Sequence, residues 1–135
     1  MSTIRLTKTV RVLIPVGTSN AAGATTRGGV DLRTAHGGLL TMRIQNGATG
    51  PTAQCVMRVL AAHDAGVTPA LASAGAVWKT LWFFAGGIAA NAITESPPFV
   101  VEPGTMHLQV EAGGNAGQPV TVEAILSEIT NATTL

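Results

Sequence analysis

The chain has 135 residues, a formal net charge of +1 and only 11% charged residues, where an ordinary soluble domain has about 25%. Its length suits a single domain, 1–135, with a substantial hydrophobic core. One cysteine excludes an internal disulfide, and no stretch is apolar enough to predict a secretory signal or a membrane partner.

The shortage of ions predicts a surface that is easily dehydrated. Small uncharged groups lose less hydration free energy than ions do when another protein covers them. One interpretation is therefore a surface that is covered by other protein subunits. The alternative is a compact, thermally robust monomer with many small loop residues.

The few charges are divided unevenly along the chain. Residues 1–60 hold seven basic side chains against Asp31 alone, and residues 61–135 hold six acidic side chains against Lys79 alone. If the two halves form separate faces, copies could meet head to tail or dock on a shell of complementary potential. If their strands interleave, the charges pair across strands instead. Scattered arginines and the absence of tyrosine predict no nucleic-acid partner.

The N-terminal stretch "TIRLTKTVRVLIPV" alternates between apolar and polar residues, which predicts a strand with one wet face. The expected core side holds Ile4, Leu6, Val10, Val12 and Ile14, and the wet side holds Arg5, Thr7, Thr9 and Arg11. Residues 1–12 would form an N-terminal arm or edge strand. Residues 17–31, rich in Gly, Ala, Ser and Thr, are predicted to be a flexible loop.

The middle of the chain continues the strand pattern. "LLTMRIQN" places Leu40, Met42 and Ile44 inward, and Cys55, in an apolar run, is predicted to be a small buried hydrophobe. Helical periodicity is weak and limited to "VTPALASAGAV", residues 67–77. "AVWKTLWFFAGG" is apolar on both sides, which predicts a central strand covered on both faces or a subunit contact.

After a second predicted loop at residues 86–98, two more alternating runs follow. Their inward residues are Met106, Leu108, Val110, Val120, Val122, Ala124 and Leu126. Roughly eight short strands separated by turns predict an all-β fold, an antiparallel β-sandwich with long Gly/Ala/Thr-rich loops. A jelly roll is favoured over an immunoglobulin-like strand order.

No pattern indicates catalysis. The three histidines, His36, His63 and His107, lack the spacing of metal ligands, no Gly-x-Ser-x-Gly nucleophile motif occurs, and the acids are typical of exposed strand positions. We therefore expect no enzyme, no cofactor and no metal site.

The segment "VWKTLWFFAGG", followed by "FVVEPGTMHLQVEAGGNAGQPVTVEAILSEI", resembles the cement or decoration proteins of tailed bacteriophages over about residues 77–129. The resemblance implies a jelly roll made in the bacterial cytoplasm that binds the outside of the phage capsid. Its partners would be the major capsid protein and further copies of itself, with a homodimer favoured over a trimer. It would bridge capsid subunits and stabilise the shell against internal DNA pressure. A phage tail or fibre module, or a carbohydrate-binding sandwich, is the alternative.

Three places are candidates for interface contacts. The basic side chains of the N-terminal segment, Arg5, Lys8 and Arg11, would face acidic capsid groups. Trp78, Trp82 and Phe84 would form a self-association core, or else belong to the domain's own interior. Arg27 and Arg33, in or near the loop at 17–31, would become ordered on the shell.

Overall fold

The computed structural model describes residues 3–134, which form two antiparallel sheets and no helix. The strands are β1 (Ile4–Asn20), β2 (Thr25–Asp31), β3 (Gly38–Asn46), β4 (Val56–Ala62), β5 (Lys79–Ala85), β6 (Ile93–Glu95), β7 (Phe99–Val101), β8 (His107–Gly113) and β9 (Val120–Thr134). In this part of the chain, no helix is available that could cross a membrane.

The strand order is that of a jelly roll. One sheet has the order β1-β9-β3-β6, with β7 also paired to β3, and we call it the β1 sheet; the other has the order β2-β8-β4-β5, and we call it the β2 sheet. Successive strands mostly cross from one sheet to the other, which makes a double-sheet Greek-key sandwich. The predicted antiparallel β-sandwich is confirmed.

Nine strands appear because one strand position is divided in two. β6 and β7 lie on the same side of β3 and are separated by residues 96–98. Pro97 and Pro98 have no amide hydrogen, so this stretch cannot continue the ladder. The break is closed by Ser96, whose amide donates to the Met42 carbonyl at 3.0 Å and whose hydroxyl accepts from the Met42 amide at 3.1 Å.

The core between the sheets is built from alternating positions of the central strands. Leu40, Met42 and Ile44 of β3 are buried, as predicted. Six of the seven predicted inward residues of the last two runs are also buried: Leu108, Val110, Val120, Val122, Ala124 and Leu126. The seventh, Met106, is half-buried and precedes β8. Trp82 stacks on Phe84, with ring centroids 5.5 Å apart, and on Phe99 at 6.1 Å. β5 is an edge strand, so the first of its two predicted alternatives, a central strand, was wrong.

The predicted loop at residues 17–31 is mostly strand. The end of β1 and all of β2 fall within it, and only residues 21–24 form the turn. A buried pair of amides orders this region: the Asn20 side chain donates to the Asn115 side chain at 2.6 Å and to the Ala24 carbonyl at 3.1 Å. The predicted loop at residues 86–98 likewise contains β6.

The predicted orientation of β1 was wrong before residue 13. A bulge lies between Val12 and Ile14, so that Leu13 and Ile14 are both buried. An extra residue reverses which side chains point inward. Val10 and Val12 are therefore 65% and 56% exposed on the outside of the β1 sheet, and Arg11 lies on the opposite side.

Cys55 is fully buried, which confirms the sequence prediction. Burial raises the pKa of its thiol from 9.0 to about 11. The folded state therefore favours the protonated thiol, so its contribution to stability is complete below about pH 9 and is lost as the pH rises through about 11.

We expect the native protein to react with a thiol reagent at least about 100-fold more slowly than the urea-unfolded chain, because burial denies access and suppresses the thiolate. Unfolding free energies measured between pH 8 and pH 11 should fall more steeply for the wild type than for Cys55→Ala. An equal dependence of the unfolding free energy on pH in the two proteins would contradict the raised pKa of Cys55.

Candidate interaction surface

An exposed apolar row crosses the outside of the β1 sheet. Val10 of β1 and Leu39 of β3 both lie opposite Ser127 of β9, and Leu39 also lies opposite Val100 of β7. Next to this row, Val12 lies opposite Ile125. We call Val10, Val12, Leu39, Val100 and Ile125 the apolar face.

The apolar face is unusual because its members are neighbours on adjacent strands, grouped around the small exposed Ser127. Single exposed hydrophobic residues are ordinary, but a connected apolar patch marks a surface that another molecule covers. Four of its five side chains are exposed, and Ile125 is half-buried. Each Å² of apolar surface removed from water contributes about 25 cal/mol, so covering this face would be favourable.

A two-stranded ribbon extends beyond the sandwich at one end of this sheet. It consists of residues 4–8 of β1 and 129–134 of β9, with Leu6 opposite Ala132 and Lys8 opposite Ile129. The pairing of β9 with β3 ends at Glu128. We call this extension the ribbon. Its Ile4 and Leu6 are 67% and 49% exposed, and an isolated two-stranded ribbon is at best marginally stable in water.

The basic residues of β1 have different environments. Arg11 donates from Nε to Glu128 Oε2 at 2.7 Å, and the Glu128 side chain is only 3% exposed. That hydrogen bond, and then the charge of Glu128, raise the pKa of Arg11. Within the described residues, Arg5 and Lys8 form no ion pair, so their charges remain available to a partner.

Most of the remaining ion pairs join the basic half of the chain to the acidic half. Arg27 lies 3.0 Å from Glu111, and Arg43 lies 3.6 Å from Glu95 and 3.8 Å from Glu123. The two halves interleave in the sheets, as the second of the two sequence interpretations predicted.

An apolar groove lies at the opposite edge of the sandwich from β1. It has a volume of about 510 Å³ and is lined by Ala61, His63, Leu81, Phe99, Val100, Glu102, Gly104 and Thr105. Leu81 is the extra residue of a bulge in β5 and is exposed, as is Val100. We call this feature the edge groove.

A second groove, of about 440 Å³, lies on the outside of the β1 sheet around Arg43. Glu95 and Glu123 flank the guanidinium, and its buried Nε has no hydrogen-bond partner. The lining residues include no aromatic ring. We call it the polar groove.

The connection from β4 to β5, residues 63–78, lies across the outside of the β2 sheet without forming a helix. Gln109 donates to the Ala72 carbonyl at 2.8 Å, and the Trp78 indole donates to the Ala70 carbonyl at 2.9 Å. Arg27 donates to the Ser73 hydroxyl at 2.8 Å. Side-chain hydrogen bonds therefore hold this segment in place.

Arg33 also anchors this covering segment. It donates to the Ala65 carbonyl at 3.2 Å and to Asp31 at 2.7 Å. Hydrogen bonds from the side chain and backbone of Arg33 lower the pKa of Asp31 to about 2.

The residues predicted to form an interface are thus not brought together. Arg5 and Lys8 lie on the ribbon, and Arg11 lies where the ribbon joins the sandwich. Arg27, Arg33 and Trp78 hold the covering segment in place. Trp82 and Phe84 pack against the core, and the buried Trp78 packs with Leu60 and Ala62, as the alternative for these three residues stated.

Sequence reasoning missed the apolar face and the edge groove, although a signal was present. Leu13 with Ile14, Leu39 with Leu40, and Phe99 to Val101 are consecutive apolar residues. In a strand, neighbours in sequence point to opposite faces. Consecutive apolar residues therefore indicate either a bulge or an apolar outer face.

Within residues 3–134, no group of His, Cys, Asp and Glu side chains is arranged to hold a metal ion. The described residues offer surfaces that another molecule could contact.

The chain matches no family model and no curated protein. Among solved structures, the K3 cleaved adhesin domain of Lys-gingipain from Porphyromonas gingivalis W83 is similar, with a TM-score of 0.51, 12% identity, and coverage of 81% of this chain and 72% of that chain. This likeness shows a shared sandwich fold alone.

Two carbohydrate-binding modules score lower. A xylan-binding domain of family 22 has a TM-score of 0.45, 10% identity, and coverage of 96% of this chain and 86% of that chain. The second module of family 16 has a TM-score of 0.44, 14% identity, and coverage of 88% and 75%. Scores in this range carry no argument about function.

Proposed function

We propose that this protein is a structural virion protein that binds the outside of a phage capsid, bridges capsid subunits and stabilises the shell. The observation that carries the proposal is the apolar face, a contiguous uncharged surface on an otherwise well-formed sandwich. The resemblance of residues 77–129 to phage cement proteins supplies the kind of partner, the major capsid protein.

Each bound copy adds its own stabilising free energy to the shell. A standard protein interface buries about 1,600 Å² in total. A protein that binds only the assembled shell stabilises it by about 4 kcal/mol per site when its concentration is a thousandfold above its dissociation constant. Internal DNA pressure must then break these contacts as well as those between capsid subunits.

We expect Leu39→Glu to weaken binding to capsids about 30-fold or more, because it places a charge in the middle of the apolar face. Binding is measured by co-sedimentation with particles that lack the protein. The stability of the shell is then measured as the temperature of genome release. Val67→Glu, at an exposed apolar position on the covering segment, is the matched control.

Two outcomes would contradict the proposal. Wild-type binding by Leu39→Glu would remove the apolar face as the contact, and an unchanged release temperature without the protein would remove the stabilising role. Antibody labelling of tails instead of heads would favour the alternative of a tail or fibre module.

Carbohydrate binding is a second candidate, supported by the polar groove. Arg43 and its two flanking carboxylates could exchange hydrogen bonds with sugar hydroxyls. A glycan array would test it. Binding that Arg43→Ala abolishes would favour this function over capsid binding.

A further inference from the structure

The free protein has two surface features that complement each other, and they lie on opposite edges of the sandwich. The ribbon extends from β1, at one edge of the β1 sheet. The edge groove lies between β5, at the far edge of the β2 sheet, and β7, on the far side of β3. From this arrangement we infer that copies of this chain join head to tail, with the ribbon of one copy in the edge groove of the next.

The apolar parts match. The ribbon presents Ile4 and Leu6 on one face, because alternate residues of a strand point the same way. The edge groove offers exposed Leu81 and Val100 above Phe99, which packs against the core. Its volume of about 510 Å³ lies within the roughly 300–1,000 Å³ range of protein binding pockets.

The charges match as well. Lys8 lies on the same face of β1 as Ile4 and Leu6, and Glu102 lines the edge groove. Glu102 forms no ion pair within residues 3–134. His63 is the other titratable group that lines the groove. Insertion of the ribbon would bring the Lys8 ammonium group to the Glu102 carboxylate, which favours the encounter and fixes its orientation.

Direct pairing of two β1 strands fits less well. It would set Arg5, Lys8 and Arg11 of one copy beside the same residues of the other, and like charges facing each other across strands are destabilising. Lysine on an open edge strand is a common means of preventing such pairing. The edge groove is therefore the better partner for the ribbon.

The position of the two features determines the kind of assembly. A two-fold dimer uses the same patch on both copies, whereas two different patches on opposite edges generate rings or open chains. We therefore expect rings or chains of three or more copies, in place of the homodimer that the sequence favoured. This inference concerns the protein alone and does not rest on capsid binding.

The test begins with the mass of the purified protein, measured by analytical ultracentrifugation over about 1–100 μM, the range of moderate affinities. Species of three or more copies are expected. A protein that stays monomeric, or that stops at a dimer, would overturn the inference.

A pair of variants then tests the direction of the contact. Leu6→Glu damages the ribbon and leaves the groove intact, and Leu81→Glu does the reverse. Each variant alone should assemble at least about 30-fold more weakly. Mixed in equal amounts, they should form a heterodimer, because one intact ribbon meets one intact groove.

A mixture that remains monomeric would overturn the head-to-tail arrangement. Val67→Glu, outside both features, should assemble like the wild type, and far-UV circular dichroism checks that each variant is folded. Val100 belongs to both the apolar face and the edge groove, so the tests use residues that belong to one feature alone: Leu39 for capsid binding, and Leu6 and Leu81 for self-assembly.

Discussion

Replacing Gly28 with alanine should destabilise the protein by more than about 4 kcal/mol, enough to unfold most of it under native conditions. A Cβ atom on Gly28 would lie 1.8 Å from the Leu13 carbonyl oxygen, because the backbone of β1 at its bulge comes against β2 of the opposite sheet. The backbone fixes the positions of both the Cβ atom and the carbonyl oxygen, so the clash is removed only if the two strands move apart. Separating them would open the core at this edge.

The neighbouring glycine provides the control. A Cβ atom on Gly29 would meet Leu71 Cδ2 at 2.6 Å, but this is the far end of a flexible side chain that can rotate away. Gly29→Ala should therefore change the unfolding free energy by no more than about 1 kcal/mol. Urea unfolding followed by fluorescence measures both variants. Similar stabilities for the two would show that β1 and β2 are not in close contact at the bulge.

Arg11→Met should destabilise the protein, and this is the second largest effect that we expect. The Glu128 carboxylate is 3% exposed and has Arg11 as its charge partner at 2.7 Å. Removing the cation leaves a buried negative charge without compensation, which is among the most destabilising single changes. The unfolding free energy in urea, with the slope checked against wild type, is the measurement.

The effect should be unequal between the two partners. Glu128→Gln leaves a guanidinium whose side chain is 53% exposed and can be solvated by water, so it should cost less than Arg11→Met. Combining the two changes should recover much of the loss, because the buried group is then uncharged. Additive effects of the two substitutions would contradict a direct pairing.

The sequence predicted the central strands well and the edges poorly, for a physical reason. β3 and β9 have neighbours on both sides and a core on one face, so their inward residues repeat at every second position. At an edge, the pattern is interrupted. The bulge at Leu13 inverts the orientation of the preceding residues. The consecutive apolar residues Leu13 and Ile14 mark this place, but they do not distinguish a bulge from an apolar outer face.

The covering segment escaped prediction for a different reason. Residues 63–78 are held by hydrogen bonds from Arg27, Gln109 and Trp78 to scattered backbone and hydroxyl groups, so no repeating apolar pattern marks them. The sequence allowed for Trp82 and Phe84 packing in the interior of the domain. The position of β5 at an edge depends on pairing between strands that are distant in sequence. Local patterns do not contain that information.

The order of the strands has a consequence for biosynthesis. β8 and β9, residues 107–134, lie between the flanking strands of both sheets and supply the only ladders that β1 and β2 make within the described chain. A ribosome that has made the first hundred residues has therefore produced a chain whose opening strands still lack their partners. Such delayed, long-range pairing slows folding. During this interval the apolar strands are exposed to aggregation, and chaperone binding to the growing chain would be most valuable then.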